Sequence, residues 1–300
     1  MHTSSPLVMA LLLLVQAESG LRPDTAIDCD SCAGWNRAQE PFRIFGNTYY
    51  VGVEGLSAIL IVSDDGLILL DGGLPQSAAL IDASIRKLGF RTEHIRLILN
   101  SHAHYDHAGG IAALQRVSGA TVAASPSGTE ALRQGMPTAD DPQHAFGESG
   151  HFAPVAEVRA IEDGESLSVS DQQIVVHFTP GHTPGGTSWT WRSCEGSRCL
   201  NIVYADSLTA VSAPGFRFTG DDAHTSIVDR FRESIATVAN LPCDILVSTH
   251  PEFSNLFENL DERERGDPEA LVDELACRDY AAGATETLEQ RIAAERSATS

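Results

Sequence analysis

The chain has 300 residues, of which 42% are hydrophobic, and its formal net charge is −21 at pH 7. This apolar fraction is ordinary for a globular protein and excludes a mainly disordered chain. The acidic charge repels phosphate backbones and anionic headgroups, so we expect neither nucleic acid nor a lipid surface as a partner. The length allows one large α/β domain.

The chain begins with an apolar run that is too short to span a bilayer. Residues 7–15 read LVMALLLLV, whereas a transmembrane helix needs about 20 apolar residues. Val15-Gln16-Ala17 follows the small-x-small pattern of a signal peptidase site. We therefore interpret residues 1–17 as a secretory signal peptide and residues 18–300 as a single domain that is periplasmic or secreted. No Lys or Arg precedes the run, which leaves a buried N-terminal helix as the alternative.

Six cysteines indicate disulfides, because an even number behind a signal peptide is typical of proteins that fold in an oxidising compartment. They are Cys29, Cys32, Cys194, Cys199, Cys243 and Cys277. The middle pair flanks EGSR, a predicted hairpin tip, and the last pair would close the long C-terminal loop. The first pair forms a C-x-x-C, a spacing that metal and redox sites also use. No second C-x-x-C is present and no βα unit follows, so we favour a local disulfide.

Strands and helices alternate along the first half of the chain. FRIFGNTYYVGV, residues 42–53, is predicted to form two short strands around a Gly46-Asn47 turn. LSAILIVSDDGLILLDGG, residues 56–73, contains two buried strands joined by a hairpin turn. A helix over 77–90, a buried strand over 95–100, a helix over 111–119 and a strand over 120–125 follow. Residues 133–153 are rich in Gly, Pro and Asp and are expected to form a long loop, which in compact domains is often functional.

The second half repeats this order of elements without repeating the residues. Residues 158–180 are predicted to form a strand, a turn and a strand, and two further strands flank the cysteine hairpin. An amphipathic helix over 222–241, a buried strand over 243–250 and a long acidic helical stretch over 268–295 complete the chain. No linker separates the halves. We therefore expect one layered α/β domain with sheets inside and helices outside.

The stretch SHAHYDHAGG, residues 101–110, concentrates metal-binding side chains where a strand passes into a helix. His102 and His104 alternate, so in an extended segment they face the same side. Asp106 and His107 follow at the turn into the helix, and the four side chains can converge at the edge of the sheet. Packed imidazoles without a cation would be costly to bury. A loop of solvated histidines is the alternative, which this spacing disfavours.

Two further histidines follow buried strands. His182 lies in TPGHTPGG, after IVVHF, and His250 lies in STHP, after CDILV. A catalytic zinc needs three protein ligands and an open position for water. Because the motif alone supplies four ligands, we expect these two histidines to complete two sites.

The motifs HAHYDH, GHTPGG and THP, with the preceding LLDGG, resemble the metallo-β-lactamase superfamily. Longer segments resemble its class B β-lactamases of subclass 3, namely ILIVSDDGLILLDGG, GHTPGGTSWTW, VYADSLTA and FRESIATVANLPCDILVSTHP. The resemblance covers most of residues 40–280. It implies an αββα sandwich, the metallo-β-lactamase fold, with a dinuclear zinc centre at one edge of the two sheets. The pair Cys243 and Cys277 also matches that subclass.

The resemblance implies two zinc ions per chain and a set of six ligands. The first zinc would be bound by His102, His104 and His182, and the second by Asp106, His107 and His250. A metal-bound hydroxide, oriented by Asp106, would attack the lactam carbonyl, since zinc lowers the pKa of a bound water to about 7. The first zinc would polarise the carbonyl oxygen. The second would bind the substrate carboxylate and stabilise the leaving amide nitrogen.

Contacts to the substrate are expected from the surrounding loops. Ser207 and Thr209 match positions that in the subclass reach the substrate carboxylate, directly or through water. Gln143 lies in the long loop expected to border the cleft, with a solvated loop residue as an equal alternative. Asp71 is expected to orient the ligand loops. Trp35 belongs either to a loop over the site or to ordinary packing.

We expect a monomeric enzyme that hydrolyses β-lactam antibiotics, small molecules that include carbapenems. The alternative is another dizinc hydrolase, for a thioester or a lactone, similar to glyoxalase II or a quorum-quenching lactonase. In those hydrolases an aspartate such as Asp206 bridges the metals, whereas the lactamase interpretation turns Asp206 away and presents Ser207. A non-catalytic zinc module would need a broken ligand set, and all six ligands are present. The secretory signal favours the lactamase, because cell-wall antibiotics act outside the cytoplasm.

Overall fold

A sheet of seven strands forms one half of the core. The computed structural model describes residues 20–221 and 224–298, so the predicted signal peptide lies outside the described residues. Within these ranges the first sheet contains β1 (Phe42–Phe45), β2 (Thr48–Tyr50), β3 (Ile59–Ser63), β4 (Gly66–Leu70), β5 (Ile95–Leu99), β6 (Thr121–Ala124) and β7 (Val158–Ala160). The strands pair in chain order, antiparallel from β1 to β4 and parallel from β4 to β7.

The second sheet has five strands in the described part of the chain. They are β8 (Ser166–Val169), β9 (Gln172–Phe178), β10 (Thr187–Glu195), β11 (Arg198–Ala205) and β12 (Ile245–Ser248). Their order is β12-β11-β10-β9-β8, and only the pair β11 and β12 is parallel. A parallel pair needs a crossover connection, which here contains a helix.

Helices cover the outer face of each sheet. The α-helices of the described ranges are α1 (Cys32–Trp35), α2 (Ser77–Lys87), α3 (Tyr105–Ala108), α4 (Ile111–Ser118), α5 (Pro126–Gln134), α6 (Val228–Ala239), α7 (Leu256–Glu264) and α8 (Ala276–Ser297). Helices α2, α4 and α5 bury apolar side chains with the outer face of the first sheet. Helices α6 and α8 do the same on the second sheet. The order of layers is therefore helices, sheet, sheet, helices.

The two sheets pack face to face because strand side chains alternate between their faces. Ile59 and Ile61 in β3 belong to the cluster between the sheets, together with Trp189 and Tyr204. Leu60, between the two isoleucines, faces the helices instead. All five side chains are fully buried. The predicted αββα sandwich is confirmed.

Three predicted element boundaries were wrong. The C-terminal helix begins at Ala276 rather than at residue 268, because Asp273 bonds through its backbone N–H to Asp244 O, 2.8 Å away, and holds the preceding segment in turns. The helix predicted from residue 222 begins at Val228. The predicted loop over 133–153 contains the end of α5 and a 3₁₀ segment, His144–Gly150.

Three disulfides join the six cysteines. Bonds link Cys29 to Cys32, Cys194 to Cys199, and Cys243 to Cys277. These are the pairs that the sequence predicts, and their number fits a chain that folds in an oxidising compartment. Across the residues described here, every helix is too short or too polar to cross a bilayer.

Helix α8 is fastened to the loop that follows β11. Arg291 donates to Ser212 Oγ at 2.7 Å and to Glu295 Oε1 at 2.7 Å. Glu295 also accepts the backbone N–H groups of Phe218 and Thr219, at 3.0 and 2.9 Å. Burial raises the pKa of Glu295, but these donors outweigh it, so the pKa lies below its usual value. The loop thus depends on an ionised carboxylate.

Replacing Glu295→Gln should destabilise the fold by about 1–3 kcal/mol at pH 7, because charge-assisted hydrogen bonds are lost. The contribution of Glu295 is complete above the unfolded-state pKa of about 4.3 and is lost as the pH falls through the lower folded-state pKa. Urea denaturation of chelator-treated protein across this range measures the difference. The control is Glu289→Gln, which breaks an exposed pair with Arg232. An equal effect of both changes would contradict the assignment.

Candidate metal centre

Six ligand-type side chains meet at one edge of the sandwich. His102 and His104 follow β5, Asp106 and His107 lie in α3, His182 lies between β9 and β10, and His250 follows β12. The ligand atoms of His102, His104 and His182 all lie within 4.8 Å of one another, and so do those of His102, Asp106 and His107. The structure therefore brings together side chains from both sheets, as the motifs predict.

His250 joins the second of these groups. Its Nε2 atom lies 3.2 Å from Nε2 of His107 and 3.5 Å from Oδ2 of Asp106. His250 comes from the second sheet and the other two residues come from the first. The ligand atoms of this group therefore come together only when the two sheets are packed against each other.

The buried carboxylate of Asp71 fixes the start of the histidine motif. Its Oδ1 accepts the side-chain amide of Asn100 at 3.0 Å and the backbone N–H of Ser101 at 2.8 Å. Its Oδ2 accepts the hydroxyls of Ser101 and Tyr204, at 2.6 and 2.8 Å. Burial raises the pKa of Asp71 and these donors oppose the shift. Asp71 therefore ties the end of β4 to the ligand loop and to β11, as the sequence predicts.

Two aspartates contact His102 and His104 on the side of each ring that faces away from the cluster. His102 Nδ1 lies 2.7 Å from Asp206 Oδ1, and His104 Nε2 lies 3.2 Å from Asp141 Oδ1. A hydrogen bond of this kind fixes the ring and leaves the opposite nitrogen free for a metal. The free atoms are Nε2 of His102 and Nδ1 of His104.

Backbone carbonyls accept hydrogen bonds from His182 and His250 in the same way. His182 Nδ1 donates to Thr209 O at 2.8 Å, and His250 Nδ1 donates to Gly55 O at 3.0 Å. The Nε2 atom of each ring is left for the cluster. Four imidazoles are thus oriented by acceptors in three different loops.

The protonation states of His102, His182 and Asp106 suit a cation, whereas the pKa of His107 is raised because burial, which lowers it, is outweighed by the charge of Asp106. Burial, followed by the charges of neighbouring histidines, lowers the pKa of His102 far below its usual value. Burial and His104 lower the pKa of His182 to about 3. Burial raises the pKa of Asp106, but His107 and His250 outweigh it and hold that pKa well below its ordinary value. At neutral pH His102, His182 and Asp106 are neutral imidazoles and a carboxylate, the forms that bind metal ions.

The residues fit zinc. Nε2 of His102 is buried and has no hydrogen-bond partner among the described residues, an arrangement that is costly unless a ligand takes its lone pair. The donor set of imidazole nitrogens and one carboxylate oxygen is typical of zinc. The chain can therefore bind a divalent metal at this edge.

Asp206 contacts His102 on the side of the ring that faces away from the cluster, and it does not lie between the metal ligands. Its Oδ1 contacts His102 Nδ1, and the carboxylate is not part of either group of converging ligand atoms in the described ranges. A Cβ on Gly186 would lie 2.4 Å from its Oδ2, so glycine at that position leaves room for the carboxylate. Asp206 is thus turned away from the converging ligand atoms, as the lactamase interpretation expects, and it is placed to orient His102, a role that the sequence analysis did not assign.

The predicted substrate contacts differ in their placement. The amide of Gln143 reaches the site, with Nε2 3.4 Å from Nε2 of His182. The hydroxyl of Thr209 lies 3.0 Å from Nδ1 of His182, where it supports that ring. Ser207 is buried and its hydroxyl pairs with Thr249 Oγ1 at 2.8 Å.

Trp35 lies against the second group of ligands. The centroid of its ring is 5.2 Å from that of His250. The segment around α1 therefore borders the site, as one of the two interpretations of Trp35 predicts.

Comparison with known proteins agrees with this geometry. The profile of the metallo-β-lactamase superfamily matches residues 51–195. The structure of the Rm3 metallo-β-lactamase is 50% identical, with a TM-score of 0.87 over 90% of this chain and 99% of that one. MEM-A1, a subclass B3 metallo-β-lactamase isolated from a soil metagenome library, is 49% identical, with a TM-score of 0.84 over 88% and 99%. SMB-1, solved with 2-mercaptoethanesulfonate, is 42% identical, with a TM-score of 0.83 over 87% and 99%.

Curated relatives are more distant. The hydroxyacylglutathione hydrolase of Pseudomonas savastanoi pv. phaseolicola (strain 1448A / Race 6) is 27% identical over 205 residues, 66% of each protein. That of Maricaulis maris (strain MCS10) is 34% identical over 91 residues, 30% of this chain and 27% of the relative. The chain thus spans less than two thirds of these relatives.

The chain belongs to the metallo-β-lactamase superfamily. Within it, the chain is similar to subclass B3 metallo-β-lactamases, and it is a hydrolase of the metallo-β-lactamase class. The resemblance predicted from the motifs is confirmed.

We expect the purified wild-type protein to bind two metal ions per chain and the His250→Ala variant to bind close to one. The variant loses a ligand of the second group, whereas His102, His104 and His182 remain. Elemental analysis after dialysis measures the ratio. The control is His177→Ala, a strand histidine whose Nε2 bonds to Thr190 Oγ1 at 2.9 Å. Equal loss of both ions would show that the ligands are divided differently.

Proposed function

We propose that the chain hydrolyses the amide bond of β-lactam antibiotics, carbapenems among them, at a centre of two zinc ions. One observation carries the proposal: the six ligand-type side chains converge on a scaffold that covers 99% of the Rm3 enzyme at 50% identity. Solved structures that match nearly the whole chain at 42–50% identity are named as metallo-β-lactamases.

His102, His104 and His182 would hold one zinc ion, and Asp106, His107 and His250 the other. Bound zinc would polarise the lactam carbonyl and supply a water that is activated at neutral pH. The role of the protein is to hold these ligands rigid. The opposite ring nitrogens of four histidines form hydrogen bonds to oxygens of Asp206, Asp141, Thr209 and Gly55.

Asp106 is the residue we assign to the attacking water. Its carboxylate is ionised at neutral pH and lies 3.3 Å from His107 Nε2 and 3.5 Å from His250 Nε2. A carboxylate in this position accepts a hydrogen bond from water and orients its lone pair. No covalent intermediate on a serine is required.

Binding of the substrate is assigned to Gln143, Ser207 and Thr209. Gln143 is half-buried, and its amide can donate to a carbonyl or carboxylate oxygen beside His182. The hydroxyls of Ser207 and Thr209 are engaged with Thr249 and His182. They would therefore reach a substrate carboxylate through water or by exchanging these partners.

A dizinc hydrolase for thioesters is the second candidate. It is favoured by the curated relatives, which are named hydroxyacylglutathione hydrolases. The position of Asp206 behind His102 disfavours it, because that aspartate does not reach between the ligands. The low identity to those relatives disfavours it as well.

We further propose that the mature chain is a monomer in the periplasm or outside the cell. The three disulfides support an oxidising compartment. Cell-wall antibiotics act in that compartment, where their hydrolysis protects the cell.

A hydrolysis panel tests the proposal. Purified mature protein should open a penicillin, a cephalosporin and a carbapenem, lose this activity to a chelator and regain it with zinc. Absorbance at the wavelength of each lactam measures the rate. A glutathione thioester serves as the competing substrate. Turnover of the thioester without turnover of any lactam would reject the proposed function in favour of the second candidate.

Clavulanate should leave the hydrolysis of a cephalosporin unchanged, because this inhibitor acylates a serine nucleophile and the proposed reaction uses none. The rate is followed after preincubation with the inhibitor for increasing times. A serine β-lactamase in a parallel reaction confirms that the clavulanate is active. Time-dependent loss of activity in this protein would contradict the mechanism.

A further inference from the structure

A buried aspartate joins the loop between α5 and β7 to a ligand of the metal centre. Asp141 is 5% exposed. Its Oδ1 atom accepts His104 Nε2 at 3.2 Å and the backbone N–H of Gln143 at 2.7 Å. One carboxylate oxygen therefore contacts a metal-binding ring and the backbone of the loop at once.

The backbone around Asp141 is held in two successive turns. Its N–H donates to Thr138 O at 3.0 Å, and its carbonyl accepts His144 N–H at 3.0 Å. The side chain is thus presented from a closed segment, not from a free loop tip. Movement of the loop would move the carboxylate away from His104.

The same segment contacts the loop that follows β11. The N–H of Ala213 donates to Pro142 O at 2.9 Å. That second loop holds His182 through Thr209 O. The same loop also holds His102 through Asp206, so all three histidines of the first group are supported by loops that bond to each other next to Asp141.

We infer that Asp141 is a positioning residue that couples the order of the loop over 137–151 to metal binding. The inference rests on the proposed metal centre and does not depend on which substrate the enzyme hydrolyses. Fixing Nε2 of His104 directs Nδ1 at the cluster, and fixing Gln143 holds its amide beside His182. Zinc binding should then order the loop, and disruption of the loop should weaken zinc binding.

Phe146 gives a readout of the loop. Its side chain is 44% exposed and lies between the two ends of the segment, so chymotrypsin can cleave after it when the loop opens. In the wild-type protein, zinc should slow this cleavage. The control variant is Asp140→Ala, which removes an exposed carboxylate next to Asp141 and should behave like the wild type.

Asp141→Ala should lower zinc affinity about 10–100-fold, the range seen when the partner of a ligand histidine is removed. Competition with a chromophoric chelator measures the affinity. The variant should also lose zinc protection at Phe146. Asp141→Asn keeps an acceptor in the same place, so protection should persist and the loss of affinity should be measurable but less than tenfold.

The inference is overturned if Asp141→Ala folds and binds zinc as tightly as the wild type, or if zinc does not protect Phe146 in the wild type. If Asp141→Ala does not fold, unchanged affinity in Asp141→Asn overturns it. These outcomes are separate from the proposed function. Zinc coupling without lactam turnover would retain the inference and reject the function, and lactam turnover without coupling would do the reverse.

Discussion

The arrangement of the metal centre depends on one desolvated carboxylate. Asp71 lies at the end of β4 in a left-handed backbone conformation, with a φ of 59°, which is uncommon for a residue other than glycine. Its oxygens accept hydrogen bonds from Asn100, Ser101 and Tyr204, which belong to the ligand loop and to the second sheet. These hydrogen bonds fix the two sheets relative to each other at the edge where the histidines meet. Without them, the ligands of the two sheets would not converge.

The histidines differ in the kind of group that supports them. Carboxyl groups lie behind His102 and His104, whereas carbonyl oxygens lie behind His182 and His250. Both kinds of acceptor fix the ring and raise the basicity of the opposite nitrogen. The first group of ligands therefore combines both kinds of support, and the second group adds the charge of its own ligand Asp106.

The sequence was sufficient to predict the layers and the convergence of the six side chains, because both follow from local patterns. Buried strands that end in histidines put ligands at one edge of a sheet, and the motif around His102 carries four ligand-type residues within six positions. The resemblance to a known family supplied the sandwich. Asp141 could not be found in this way, since it lies in an aperiodic loop and reaches His104 across 37 positions. The orientation of Asp206 was equally inaccessible, because it depends on packing against Gly186.

Because His250 brings a ligand of the second sheet to the cluster, the stability of the folded protein depends on the supply of metal. Because ligands from both sheets must meet, a divalent ion binds the packed sandwich and not the unfolded chain, and its binding free energy adds to the free energy of unfolding. When zinc is scarce, the concentration of ligand falls and this added stability falls with it. The unfolded fraction then rises and is open to proteolysis, so a shortage of metal would lower the amount of folded protein as well as empty its metal centre.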